Sequence, residues 1–128
     1  MSLPQVPTAG LLRACLALSG LSGATGVICL ALSAHAGSTA LLGTAGQMLL
    51  AHAPLFLGVG ILSQIRRIKF LPVVAACLTL GLILFSGDLI SRSFFEQRFF
   101  PMSAPIGGLL IILAWLTLAL SALRVKPK

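Results

Sequence analysis

Polar and apolar positions alternate along this chain in blocks rather than residue by residue. Four long apolar runs are separated by short connectors that carry nearly all the charge. A helix needs roughly 20 consecutive apolar residues to cross a bilayer, and each run supplies about that many. The pattern predicts helices over about 14–34, 44–65, 70–91 and 104–123. The expected fold class is therefore all-α: one membrane domain over 1–128, built as an integral bundle of four transmembrane helices. Proline falls where such helices tolerate it. Pro72 and Pro105 sit in first turns, where the missing N–H has no intrahelical partner to lose. Ser103 is read as the N-cap of the fourth helix. Pro54 lies inside the second run, where neighbours in a bundle can re-satisfy a freed carbonyl, and a mild kink over Leu50 to Pro54 is expected.

The first run has a competing reading. Arg13, an apolar core and Ala34-His35-Ala36 imitate a secretory signal with its small-residue cleavage site. The run is longer than the apolar part of such a signal, about 7–15 residues. It also carries Ser19, Ser22, Gly23 and Gly26 at i, i+3, i+4 and i+7, a small-residue stripe that lets membrane helices approach closely. Retention as a helix is the expectation.

Composition agrees with the block pattern. Of 128 residues, 58% are hydrophobic and 9% charged, with a mean hydropathy of +1.09. A small soluble domain leaves too much surface exposed to hide that much apolar area. The net charge of +7 does not point to nucleic acid, because the basic residues are thin and sit at the ends of apolar runs rather than in a stripe. Cys15, Cys29 and Cys77 all lie within the runs, so buried thiols are expected rather than a disulfide framework or a metal site.

Charge sets the expected orientation. Arg13, Arg66, Arg67, Lys69, Arg124, Lys126 and Lys128 fall on one side of a four-span bundle. Arg92 and Arg98 fall on the other, with both acids, Asp88 and Glu96. The positive-inside rule then places both termini in the cytoplasm, in a bacterial inner membrane. The connector from Arg92 to Met102 holds four of the seven phenylalanines. Aromatic and charged residues mixed at a span end suggest an interfacial segment, or a loop that dips its rings among headgroups.

Ionisable groups within a membrane helix are costly and therefore functional candidates. Here they are His35, His52 and Asp88, with Gln47 as a neutral companion. His35 and Asp88 share a similar predicted depth, which permits a pair or, more simply, contact with interfacial water. His52 lies roughly 12 Å into the second helix, suited to a hydrogen bond with a carbonyl of a neighbouring helix, to a proton relay or to ligating a cofactor. Gln47 and His52 stand about 140° apart around a helix and do not share a face. A bis-histidine haem needs matched depths, which His35 and His52 lack. No nucleophile–base pair, phosphate loop or paired carboxylates appear, so catalysis has no positive support.

Four stretches carry a family resemblance. They are Ser19-Gly20 with Leu32-Ser33-Ala34-His35-Ala36; Gln47-x4-His52-Ala53; Gly81-x3-Phe85-Ser86-Gly87; and Pro105-Ile106-Gly107-Gly108 followed by Trp115. In order and spacing, from about Leu16 to Leu123, they resemble the small bacterial membrane proteins grouped as domain of unknown function 423, whose eukaryotic relatives are called transmembrane protein 256. The resemblance implies four membrane helices and no settled biochemical role. It adds Pro105, Gly107, Gly108 and Trp115 to the residues of interest, as helix-packing positions beside the stripe of the first helix. Asp88 stands where the family usually has serine or threonine, and Met48 and Ala51 replace its aromatic residues.

Three functions follow as expectations. The leading one is a non-enzymatic membrane protein, an accessory subunit of a larger complex or a self-associating bundle. Its partners would be membrane lipids and other membrane subunits or itself. The second is a small transporter or proton channel using His52, Asp88 and His35. The third is a module binding lipid, quinone or haem, with a flat Gly107-Gly108 crevice beside Trp115 and His52 meeting a polar headgroup. No resident cofactor or metal is expected.

Overall fold

The computed structural model describes residues 9–35 and 40–125. Among them the structure is all-helical, in the order α1 (Ala9–Ser33), α2 (Ala40–Ile65), α3 (Leu71–Phe95) and α4 (Ser103–Ser121), with a short 3-10 turn over Ala122–Arg124. At 1.5 Å per residue these helices measure roughly 28–39 Å, and all four are long and apolar enough to cross a membrane. Their outer faces match that solvent. Leu21, Ile28, Leu80, Ile83, Leu109, Ile112 and Leu120 are exposed, which would be untenable over so much surface in water.

The ends differ from the sequence expectation by a few residues. α1 starts at Ala9, ahead of Arg13, because Gly10-Leu11-Leu12 continue the helix. α2 starts at Ala40 and runs unbroken through Pro54, whose ring is exposed and points away from the bundle. α3 continues to Phe95, so the first four residues of the predicted interfacial segment are its last turn. Of the first connector, residues 36–39 lie outside the described residues, as do Lys126 and Lys128.

Two antiparallel hairpins make the bundle. α1 lies along α2, α3 lies along α4, and the hairpins join through α2 and α3. α1 barely approaches α3, and the backbones of α2 and α4 do not meet. The core therefore sits between α2 and α3. Phe56 and Val59 pack there with Leu71, Val74, Ala75, Leu78 and Leu82, joined by Cys15 from α1 and by Ile111 and Ala114 from α4.

Glycine sets how closely each hairpin closes. A Cβ on Gly26 would come 2.8 Å from the Leu50 backbone nitrogen, and one on Gly46 would come 2.9 Å from the Gly26 carbonyl oxygen. Further along, a Cβ on Gly60 would meet Cys15 Cβ at 2.8 Å. In the second hairpin, a Cβ on Gly107 would lie 2.5 Å from the Phe85 nitrogen and 2.7 Å from the Gly81 oxygen. Except at Gly60, which faces the Cys15 side chain, these are backbone-to-backbone approaches of the kind small residues permit between membrane helices. Ser22 and Gly26 are buried on the α1 seam, with Ser19 and Gly23 half-buried. That stripe is thus closed within the monomer.

Candidate functional site

His52 is buried on the α2 face that looks toward α3 and α4. Its Nδ1 lies 2.7 Å from the Met48 carbonyl oxygen, one helical turn back. The Trp115 indole N–H donates to His52 Nε2 at 3.1 Å. An indole N–H can only donate and a carbonyl can only accept. The tautomer that serves both bonds therefore carries its proton on Nδ1 and leaves Nε2 as acceptor. The two rings meet edge-on, with centroids 5.8 Å apart and planes at 61°. Trp115 is 45% exposed, so it lies at the bundle surface with its indole N–H turned inward to His52. This bond ties α4 to α2, two helices whose backbones do not touch.

Asp88 is fully buried near the end of α3. Its Oδ1 accepts the Phe99 backbone N–H at 3.0 Å, while Oδ2 stands 3.9 Å from an Arg92 nitrogen one turn on and has no hydrogen bond. The carboxylate thus holds the α3–α4 connector onto α3. The Ser91 hydroxyl helps by donating to the Gln97 carbonyl at 2.7 Å. The connector bends sharply at both ends, with Glu96 at φ 56° and Met102 at φ 73°. Both angles are left-handed, which is costly for residues with a side chain. Met102, not Ser103, is the residue at the N-cap position of α4. Ser103 is fully buried, and its hydroxyl donates across the hairpin to the Leu84 carbonyl at 3.1 Å, leaving it no role as a cap. Phe99 then lays its ring on Gly87, where a Cβ would clash at 2.6 Å.

The remaining candidates are scattered. His35 is exposed beyond the end of α1, and Gln47 is exposed on α2. Asp88 turns its oxygens to Phe99 and Arg92, and His52 turns its nitrogens to Met48 and Trp115, so no bond joins these two candidates. On α4, Gly107 is the close-approach residue. Gly108 has only an ordinary spacing of 3.8 Å to the Phe85 ring, and Pro105 is exposed in the first turn.

Where α1 and α3 diverge, a cleft of about 360 Å³ opens between them. Leu18, Leu21, Leu82 and Ile83 make it apolar, and Phe99 closes one end. Four hydroxyl residues interrupt the apolar wall: Ser22, Thr25, Thr79 and Ser86. Ser22 donates to the Leu49 carbonyl at 2.5 Å and Thr79 to the Ala75 carbonyl at 2.7 Å. Ser86 Oγ is buried with no hydrogen-bond partner, an uncommon state for a polar atom. Sequence reasoning did not single out Thr79, Phe99 or the hydroxyl of Ser86. It also passed over the packing face formed by Gly46, Ala53 and Gly60, although their seven-residue spacing on α2 was a usable signal. Among the described residues, no group of three or more histidine, cysteine, aspartate or glutamate side chains is placed to hold a metal ion.

Comparison with known proteins agrees with a membrane chain. The family model described as "Protein of unknown function (DUF423)" matches residues 22–108. A UPF0382 membrane protein of Haemophilus influenzae (strain ATCC 51907 / DSM 11121 / KW20 / Rd) is 32% identical over 65 residues. The match covers 51% of this chain and 52% of that protein, so it spans about half of the relative's length. No solved structure matches the chain.

Proposed function

Because the chain belongs to the DUF423 family of membrane proteins of unknown function, its role has to come from its own geometry, and we propose that it is a non-enzymatic accessory subunit that docks sideways onto another membrane helix. The cleft between α1 and α3 carries this reading. It is a gap along two helices that a third would fill, and its serine and threonine hydroxyls are the groups that form hydrogen bonds between membrane helices. The docked helix belongs to a larger complex or to a second copy of the chain. In this reading both termini are cytoplasmic and the membrane is a bacterial inner membrane, in line with seven basic residues on one side and two on the other.

Co-purification in mild detergent tests the proposal. The chain is expected to run with a larger assembly, and Ile83→Trp inside the cleft is expected to release it. Leu116→Trp, on an exposed face of α4, is expected to leave the assembly intact. Recovery of the wild type only as a monomer sinks the reading. Fusing reporters to the two ends tests orientation.

The same cleft supports a second reading, a site for a lipid-soluble molecule such as a quinone. A volume of about 360 Å³ lies within the usual range for small-molecule pockets, roughly 300–1,000 Å³. Extraction of the purified protein followed by mass spectrometry tests it. Transport through His35, His52 and Asp88 draws less support, because the bonds of His52 and Asp88 lead to Trp115 and Phe99 instead. Equal proteoliposome flux in wild type and His52→Ala would remove it.

A further inference from the structure

The end of the bundle opposite Asp88 gathers positive charge from distant parts of the chain. Arg66, Arg67 and Lys69 belong to the turn between α2 and α3, and Arg124 lies just past α4. Two adjoining recesses open there. One, of about 280 Å³, is lined by Arg67, Ile68, Lys69, Phe70 and Arg124. The other, of about 310 Å³, shares Arg67, Ile68 and Lys69 and adds Arg66 with the apolar Leu11, Leu71 and Pro72. Each has roughly ten times the volume of one liquid water.

These charges have no counter-ion from the described residues. The chain has only two acids, Asp88 and Glu96. Both lie toward the far end of α3, and the one ion pair among the described residues joins Asp88 to Arg92. The first turn of α3, beginning at Leu71, adds the positive end of its helix dipole beside Lys69. Four cations with no acidic partner among the described residues, converging within reach of apolar side chains, form a site for an anion that also has a greasy part. A small soluble anion would make no use of Leu11, Phe70 or Pro72. An anionic phospholipid suits both halves, with its phosphate among the cations and its glycerol and upper acyl chains along the apolar rim. Basic pockets between membrane helices bind headgroups of this kind.

We propose that Arg67, Lys69 and Arg124, with Arg66 beside them, bind the phosphate headgroup of an anionic phospholipid. The site goes beyond the accessory-subunit reading and does not depend on it, or on which way the chain faces. A lipid held there would also tie the α2–α3 turn to the end of α4, which no described hydrogen bond or ion pair does.

Native mass spectrometry of the full chain in mild detergent tests the site, using phosphatidylglycerol and phosphatidylcholine as probes. Each basic residue near an anionic lipid contributes about a fivefold gain. Wild type is therefore expected to retain phosphatidylglycerol roughly 100-fold or more better than phosphatidylcholine. The variant R67Q/K69Q/R124Q is expected to lose that preference, and R92Q/R98Q at the other end to keep it. Should the triple variant fail to fold, Arg124→Gln alone is expected to weaken phosphatidylglycerol binding several-fold, with phosphatidylcholine unchanged. Equal retention of the two lipids by wild type overturns the proposal. So does an R92Q/R98Q variant as impaired as the triple variant, or an Arg124→Gln variant that binds like wild type. Complete displacement by millimolar inorganic phosphate would identify a soluble-anion site and equally overturn it.

Discussion

The two hairpins close by the same device and are fastened by different ones. α1 and α2 meet along a seam of small residues, with Gly46, Ala53 and Gly60 on α2 facing Gly26, Gly23 and Cys15 on α1. A hydrogen bond between the helices, from Ser22 to the Leu49 carbonyl, lies within the seam. α3 and α4 have a single glycine pair, Gly81 and Gly107, and then a cluster of polar fasteners at the connector end: Ser103 to Leu84, Phe99 to Asp88, and Ser91 to Gln97. A seam distributed over several turns shares its closure among many contacts. A seam that rests on one close approach needs its connector held, and the buried carboxylate of Asp88 holds it.

The largest expected effect follows from that asymmetry. In Gly107→Ala the new Cβ meets backbone at 2.5 Å, and backbone cannot rotate away as a side chain can. The second hairpin has to open along its length, at about 3 kcal/mol or more by the usual scale of overpacking. Gly26→Ala meets backbone at 2.8 Å, and its neighbours along the seam can share the displacement, so about 1–2 kcal/mol is expected. Unfolding midpoints in a denaturing detergent measure both. Equal losses at the two positions would remove the distinction between a distributed and a concentrated seam.

Asp88→Ala comes next. It leaves the Phe99 N–H without its acceptor and releases the connector, for a loss of about 1.5–3 kcal/mol, as expected for hydrogen bonds to charged groups. Trypsin cleavage at Arg98 is expected to speed up markedly. Asp88→Asn keeps an oxygen for Phe99 and is expected to retain most of the protection. If both variants cleave at the wild-type rate, the carboxylate is not what holds the connector.

How legible these features were depends on the kind of information each requires. Four apolar runs specify four helices because length against bilayer thickness is a one-dimensional property. The small stripe of α1 was readable for the same reason, since Ser19, Ser22, Gly23 and Gly26 mark one face by spacing alone. Asp88 stood out as a residue of interest, but its partner is the backbone N–H of Phe99, eleven positions away. A backbone N–H has no sequence signature, so the candidate at matching depth, His35, attracted attention instead. His52 and Trp115 were both singled out, yet their bond crosses between helices that do not pack directly. No periodicity reports such a strap. Ser103 resembled a cap because serine before an apolar run usually is one. The tight Gly81–Gly107 approach brings the Leu84 carbonyl within reach and gives the hydroxyl a different partner.

The strap between hairpins is a smaller term than either closure. Hydrogen bonds between membrane helices average about 0.6 kcal/mol and reach about 1.7. Trp115→Phe, His52→Ala and the double variant form a cycle whose coupling is expected in that range. Because Trp115 lies half outside the bundle, replacing it with phenylalanine disturbs little packing, and the cycle reports the bond itself. Zero coupling would mean that only the α2–α3 core joins the hairpins.

The smallest expected effect is the most discriminating test of the first seam. Gly58 and Gly60 sit two residues apart on α2. A methyl group added at Gly58 would have nothing within 4 Å, whereas at Gly60 the same group meets Cys15 Cβ at 2.8 Å. Glycine inside a helix costs roughly 0.5–1 kcal/mol relative to alanine. Gly58→Ala is therefore expected to raise the unfolding midpoint slightly, and Gly60→Ala to lower it. Opposite signs two residues apart would show that the glycines of α2 serve one face rather than a general composition. If both substitutions stabilise, the helices are not held as closely as the Gly60–Cys15 approach implies, and the seam would have to be rebuilt around Gly26 and Gly46 alone.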